Sequence, residues 1–254
     1  MRNFTNYVGI IDSGVGGLTV LKGLQEKYPS CDFLYLADSA YCPYGTKPFE
    51  EIYSRVSALV VYLQKLGVCA VVLACNTASI FADRLRADFA FPIYDVIAPT
   101  CRLVAQSTFT KRVALLATNA TVKSGMYSKH LAERGITVVS FPCSEFVPFV
   151  EQNAVDSLEC EEAVHRALRE LPKCNVDTVI LGCTHFPVIK NKISPYLNGK
   201  KIIECCTDFQ PSCLARKTSA KTVFLTTGVE KQANFAAQWY GKTNFEHCEL
   251  SLQV

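Results

Sequence analysis

Eight short apolar segments fall into two sets of four at nearly constant offset, and this repeat restricts the possible folds more than any other feature. The first set occupies residues 8–11, 33–36, 70–74 and 93–97, and the second 113–116, 136–139, 179–182 and 201–203. Val113 follows Val8 by 105 positions, Ile136 follows Phe33 by about as many, Val179 follows Val71 by 108, and Lys201 follows Pro92 by 109. Short β-branched runs separated by helical patterns read as buried parallel strands. Ile52, Val56, Leu59, Leu63 and Leu66 share one helix face, as do Phe81, Leu85 and Phe89 and, in the second half, Ala163, Val164, Ala167, Leu168 and Leu171. The expected fold is therefore α/β, with two pseudo-symmetric parallel-sheet α/β domains facing each other across a central cleft. The tail after about residue 208, with a strand at 223–225 and a helix around 230–240, has no counterpart and is expected to return to the first domain. The predicted domains are 1–98 plus 208–254, and 99–207.

Composition narrows the class. Of 254 residues, 49% are hydrophobic and 19% charged, which excludes a disordered chain. Lysine and arginine number 26 against 23 acidic residues, a formal +3 that gives no electrostatic case for nucleic acid. The longest apolar run, 68–75, is far short of the ~20 residues that span a bilayer, so no membrane association is expected. Residues 1–6 lack an apolar region before the first strand, so no signal peptide is expected. The 13 cysteines contain no C-x-x-C pair, and a chain of this size needs no disulfide staples; reduced thiols in a cytoplasmic protein are expected.

In open parallel sheets, ligands bind beyond the carboxyl ends of the strands. After the first strand comes Asp12-Ser13-Gly14-Val15-Gly16-Gly17, matched in the second half by Ala117-Thr118-Asn119-Ala120-Thr121. After the third comes Cys75-Asn76-Thr77, matched by Cys183-Thr184-His185. The glycine loop fits no dinucleotide fingerprint, since Thr19 stands where a glycine is needed, and Gly45-Thr46-Lys47 has the wrong order for a phosphate loop. Its small residues and N–H groups suit a carboxylate or another small anion. Asp12 itself could instead be only a helix N-cap.

A lone cysteine ending a core strand is usually a small buried hydrophobe. Here two occupy equivalent points of matched halves, which would set one thiol on each side of a bound molecule. Cys183 and His185 could instead supply two metal ligands, with Cys75 and Asp12 as third and fourth, but no usual zinc spacing supports this, and no metal is expected. Two opposed thiols suit inversion of a stereocentre next to a carboxylate. One group removes a proton from one face while the other delivers a proton to the opposite face. A free thiol titrates near ~8.5, so neighbours must help form the thiolate; His185 and Asp12 are available.

At these residues the sequence resembles the glutamate racemases of the cofactor-independent aspartate/glutamate racemase superfamily. The matching blocks are Ile11-Asp12-Ser13-Gly14-Val15-Gly16-Gly17-Leu18-Thr19-Val20-Leu21, Pro43-Tyr44-Gly45-Thr46-Lys47, Ala74-Cys75-Asn76-Thr77-Ala78-Ser79, Phe146-Val147-Pro148-Phe149-Val150-Glu151 and Leu181-Gly182-Cys183-Thr184-His185-Phe186-Pro187. The resemblance implies interconversion of L- and D-glutamate without pyridoxal phosphate, metal or other cofactor, supplying D-glutamate for peptidoglycan, often by a homodimer. It makes Cys75 the base for the D-enantiomer, assisted by Asp12. Cys183 becomes the base for the L-enantiomer, assisted by His185 and Glu151. Ser13, Pro43, Tyr44, Gly45, Asn76, Thr77, Thr118, Thr121 and Thr184 would line the substrate pocket. Glu151 and the loop at 43–45 enter only through the resemblance. Tyr41-Cys42, Ala98 and Glu204-Cys205-Cys206 depart from the usual family pattern.

Two alternatives stand beside this: an aspartate racemase of the same superfamily, which differs in substrate by one methylene worth ~1–3 kcal/mol of discrimination, and a catalytically inactive amino-acid-binding regulator.

Overall fold

The computed structural model describes residues 3–207, 220–241 and 243–249. The boundary expected near 208 and the unusual segment 208–213 lie outside the described residues. Among the described residues ten strands form two sheets, all parallel. In the first, β1 (Tyr7–Asp12), β2 (Asp32–Ala37), β3 (Ala70–Leu73), β4 (Ile93–Tyr94), β9 (Thr222–Thr226) and β10 (Phe245–His247) run in the order β10-β9-β2-β1-β3-β4. In the second, β5 (Arg112–Ala117), β6 (Thr137–Pro142), β7 (Thr178–Gly182) and β8 (Lys201–Glu204) run β6-β5-β7-β8. Each sheet thus centres its own first strand between its second and third, and the sequence repeat is a repeat of topology. β9 joins the first sheet along β2, with Phe33 opposite Thr222 and Ala37 opposite Thr226.

The alternation of side chains across each strand sorts the core. Ile10, Phe33, Tyr35, Val72, Leu116, Val179 and Leu181 point into one apolar cluster shared by the two sheets. Their neighbours Ile11, Leu34, Leu36, Val71 and Leu73 pack under the helices on the far face of the first sheet, and Val113, Leu115 and Ile180 do so in the second. The helix Phe49–Lys65 buries Ile52, Val56, Leu59 and Leu63, as their spacing predicts. Glu50 and Glu51 lie in its first turn and Lys65 in its last, which complements the helix dipole.

Three expectations need correction. The fourth segment, expected as a strand over 93–97, pairs only at Ile93–Tyr94, because Val96 already caps the helix Ile97–Ser107 and the Asp95 carboxylate accepts the Ala98 N–H at 2.9 Å. The strand expected over 136–139 runs instead from Thr137 to Pro142. Cys69 is disulfide-bonded, whereas eleven other cysteines form no disulfide. Among the described residues no helix is long and apolar enough to cross a membrane.

Candidate active site

The carboxyl ends of β1, β3, β5 and β7 converge. Cys75 caps the short helix Asn76–Ser79 two residues beyond β3, and Cys183 directly follows β7. Thr118 directly follows β5 and caps Asn119–Ser124, accepting the Thr121 N–H at 3.3 Å. Ser13, Pro43, Tyr44, Gly45, Cys75, Asn76, Thr77, Thr118, Val147, Cys183, Thr184 and His185 line one cavity of about 10 Å³, room for about one water. The two thiols therefore face a single enclosed space, each only 5% exposed.

Hydroxyl and amide groups between the two halves interlock. The Thr77 hydroxyl lies 3.0 Å from that of Thr118 and 3.3 Å from that of Thr121. Thr121 thus stands behind the cavity wall and is not part of it. Asn76 is held at both ends of its amide, accepting from Tyr127 Oη at 2.6 Å and donating to Cys205 Sγ at 2.9 Å.

Asp12 also sits behind the wall. It caps no helix; Gly17 precedes Leu18–Lys27 without a side-chain cap. Its carboxylate instead accepts the Gly14 N–H at 3.1 Å and the Thr184 hydroxyl at 3.2 Å, tying the first sheet to the loop after β7. Complete burial pushes the Asp12 carboxyl up to about 6, against the pull of His185. Burial, with Asp12 next in effect, pushes the Cys75 thiol up to about 12. The Cys75 thiol hydrogen-bonds to Ser13 Oγ at 3.8 Å.

On the opposite side His185 Nδ1 lies 3.6 Å from Cys183 Sγ, and Nε2 lies 2.6 Å from Glu151 Oε1. Burial opposes the charged imidazole, but the bonds to Cys183 and Glu151 outweigh it and raise His185 well above the ordinary histidine value. The imidazolium thus sets a positive charge beside one of the two thiols. Glu151 is one step removed from the cavity. The anion that the glycine loop holds is this carboxylate: Val15 N–H donates to Glu151 Oε1 at 2.8 Å. The glycines are required by close approach, since a Cβ on Gly14 would lie 1.9 Å from Glu151 Oε1 and one on Gly16 would lie 2.5 Å from His185 Nδ1.

Residues 18–207 match the family model for Asp/Glu/Hydantoin racemase. The chain belongs to that family. The racemase is 40% identical over 198 residues to the glutamate racemase of Aquifex aeolicus, covering 78% of each chain. Its structure superposes on that of glutamate racemase isoform RacE1 from Bacillus anthracis with a TM-score of 0.89 and 30% identity, covering 98% of this chain and 99% of that one. It also superposes on a Francisella tularensis glutamate racemase solved in complex with D-glutamate, with a TM-score of 0.83 and 28% identity over 97% and 98% of the two chains. The protein is an amino-acid racemase, an isomerase.

Three features of the racemase site escaped the sequence. Val147 lines the cavity from within the matched block that ends at Glu151. Asp38, fully buried one residue beyond β2, accepts from Tyr44 Oη at 2.6 Å, from Arg55 Nε and Nη2 at 2.8 and 2.6 Å, and from the Thr227 hydroxyl at 2.7 Å, and so fixes the turn that carries Pro43, Tyr44 and Gly45. Its position at a strand end was the available signal. Cys42, beside Pro43, approaches Glu151 and His185; one ligand atom from each lies within 4.8 Å of the others. The set considered from sequence for a metal, with Cys75, Cys183 and Asp12 around His185, is not gathered in that way among the described residues.

Proposed function

We propose that this racemase interconverts L- and D-glutamate by a two-base transfer at Cα, with Cys75 and Cys183 on opposite faces. The observation that carries the proposal is the pair of thiols at equivalent strand ends of two like sheets, lining one enclosed cavity. The relatives named above supply the substrate; one of them was solved with D-glutamate bound.

A thiolate at Cys183 is matched by the His185 imidazolium and removes the Cα proton of L-glutamate. Cys75, kept as a thiol by burial and Asp12, delivers its proton to the other face. In the reverse direction Cys75 is the base, and the Asp12 carboxylate, with its pKa near 6, is suited to exchange protons near neutral pH. Glu151 holds His185 in place and stabilises its charge. Ser13, Asn76, Thr77, Thr118 and Thr184, with the backbone at 43–45, bind the substrate's carboxylates and amine. In substrate binding, Thr121 and Asp12 act through these residues. The cavity is smaller than glutamate, so substrate entry widens the cleft between the sheets, and closure excludes water from the weakly acidic Cα–H. The chain's own side chains supply acid and base on both faces. The reading extends to a homodimer in the cytoplasm that supplies D-glutamate for peptidoglycan.

The test is proton NMR of L-glutamate, D-glutamate and L-aspartate in D₂O with chelator-treated protein. Loss of the Cα proton from both glutamate enantiomers, with chiral scrambling and no added cofactor, is the expected result. Exchange with aspartate alone would move the substrate, and exchange with none would overturn the activity.

A further inference from the structure

The geometry points to a zinc-binding inhibitory site formed by Cys42, Glu151 and His185 at the mouth of the catalytic cavity. The sulfur, a carboxylate oxygen and an imidazole nitrogen lie within 4.8 Å of one another. Around a tetrahedral zinc, such donors sit about 3.3–3.8 Å apart, given bonds of ~2.3 Å to sulfur and ~2.0–2.2 Å to nitrogen and oxygen. The widest pair therefore closes by about 1 Å at most, while His185 Nε2 and Glu151 Oε1, in hydrogen-bond contact at 2.6 Å, part by about 0.7 Å to admit the ion. Cys, His and Glu form a donor set that suits zinc, and three protein ligands leave a fourth position for water or a substrate carboxylate.

Access is built in. Cys42 and Glu151 are in the wall of a second cavity, of about 250 Å³, that adjoins the catalytic one through Pro43 and Val147. A hydrated dication reaches Cys42 and Glu151 from there without parting the two sheets, and His185 Nε2 lies directly behind the Glu151 carboxylate at 2.6 Å. The surrounding charge suits a cation, since the carboxylates of Asp12 and Glu151 both stand beside His185. The consequence rests on the racemase reading. Zinc bound through Nε2 would displace that nitrogen's proton to solvent and break its bond to Glu151, leaving Cys183 beside a metal-bound imidazole in place of the imidazolium that serves its proton transfer. Binding displaces the protons of the ligands to solvent and changes no oxidation state. Cys42 itself does not line the catalytic cavity and meets it through a hydrogen bond to Ser13, so it is the member whose change leaves both catalytic thiols, His185 and Asp12 in place.

The experiment titrates the full-length protein with Zn²⁺ while following racemisation, and with Co²⁺ while recording its absorption spectrum. One equivalent of zinc should suppress turnover, with recovery on adding a chelator, and cobalt should give a thiolate-to-metal charge-transfer band. Cys42→Val should keep basal turnover, lose the cobalt–thiolate band, and bind zinc at least ~100-fold more weakly, beyond the loss typical of an outer-shell partner. Persistence of both the band and the inhibition in Cys42→Val would place the metal on Cys75 or Cys183 and overturn the proposal, as would absence of stoichiometric binding to the unmodified protein. The cobalt spectrum reports the site even if no amino acid is racemised, so failure of the site and failure of the activity are separable.

Discussion

Glu151 Oε1 lies 2.6 Å from His185 Nε2 and accepts the Val15 N–H at 2.8 Å, so one oxygen joins the second sheet's histidine to the glycine loop of the first. The helix Phe146–Glu151 thereby sets both the charge and the position of the imidazole beside Cys183. Glu151→Gln keeps the shape and removes the charge. His185 has a raised value in the folded protein, so the stability from its pairing is fully present below its ordinary value of 6.5 and is lost as pH rises through the folded value. The gap in melting temperature between wild type and Glu151→Gln should therefore be widest below pH 6.5 and narrow as pH rises. The alkaline limb of racemisation should move to lower pH in the variant. A gap independent of pH would show that Glu151 acts by packing alone.

Asp12 carries the opposite sign. Its folded value is raised to about 6 from 3.8, so the ionised carboxylate costs the folded state stability above about pH 6, and that cost vanishes below 3.8, where both states bind the proton. Asp12→Asn should gain roughly 3 kcal/mol at pH 8 and little at pH 3.5, read from urea unfolding midpoints. The amide can still accept from Gly14 and donate to Thr184. Racemisation should nonetheless fall by ~10² or more, since the proposed proton partner of Cys75 is gone. A variant both less stable and fully active would sink this account.

Cys75→Ala and Cys183→Ala should each lower racemisation by at least ~10²–10⁴ in both directions, the range for a general acid or base. Both side chains are small and the strand ends that carry them are otherwise packed, so melting temperatures should stay within a few degrees of wild type. Chiral chromatography and thermal unfolding check the two halves of this statement. Normal turnover in either variant would remove the two-base assignment.

The architecture was legible because its signal is periodic. Strand alternation sends Ile10 and Ile11 to opposite clusters, and the repeat from Val8 to Val113 became the shared order β2-β1-β3-β4 and β6-β5-β7-β8. Cys75 and Cys183 were legible because matched strand ends of two like halves must face one another. Asp38 was not, because its partners come from a helix 17 positions away and a tail 189 positions away. No local spacing signals such an ion pair. The glycines at 14 and 16 read as anion-binding from sequence. Their stronger reason, clearance for Glu151 and His185, depends on contacts 136 and more positions distant. Cys42 looked like a departure beside a turn, and only the folded chain sets it against Glu151 and His185.

The buried Asp38–Arg55 pair yields the last prediction. Arg55 meets the carboxylate with two donors, and Asp38 is fully buried, so Arg55→Ala leaves an uncompensated charge in the interior. Removing one partner of such a pair costs about 3–5 kcal/mol. The damage should spread to the site through Tyr44, whose hydroxyl donates to the same carboxylate and whose ring is 1% exposed against the cavity. Arg55→Ala should therefore lower the melting temperature and raise the glutamate KM more than it lowers kcat, because in the proposed mechanism the turn at 43–46 positions substrate and transfers no proton. Adding Asp38→Asn to Arg55→Ala should recover part of the stability, since the stranded charge is then gone, while the KM stays high because the turn remains loose. Tyr44→Phe separates the two effects. It leaves the ion pair in place and removes one hydrogen bond to a charged group, worth about 1.5–3 kcal/mol, so the KM should rise with only a modest loss of stability. A KM unchanged in all three variants would show that the ion pair serves the fold and has no hold on the substrate.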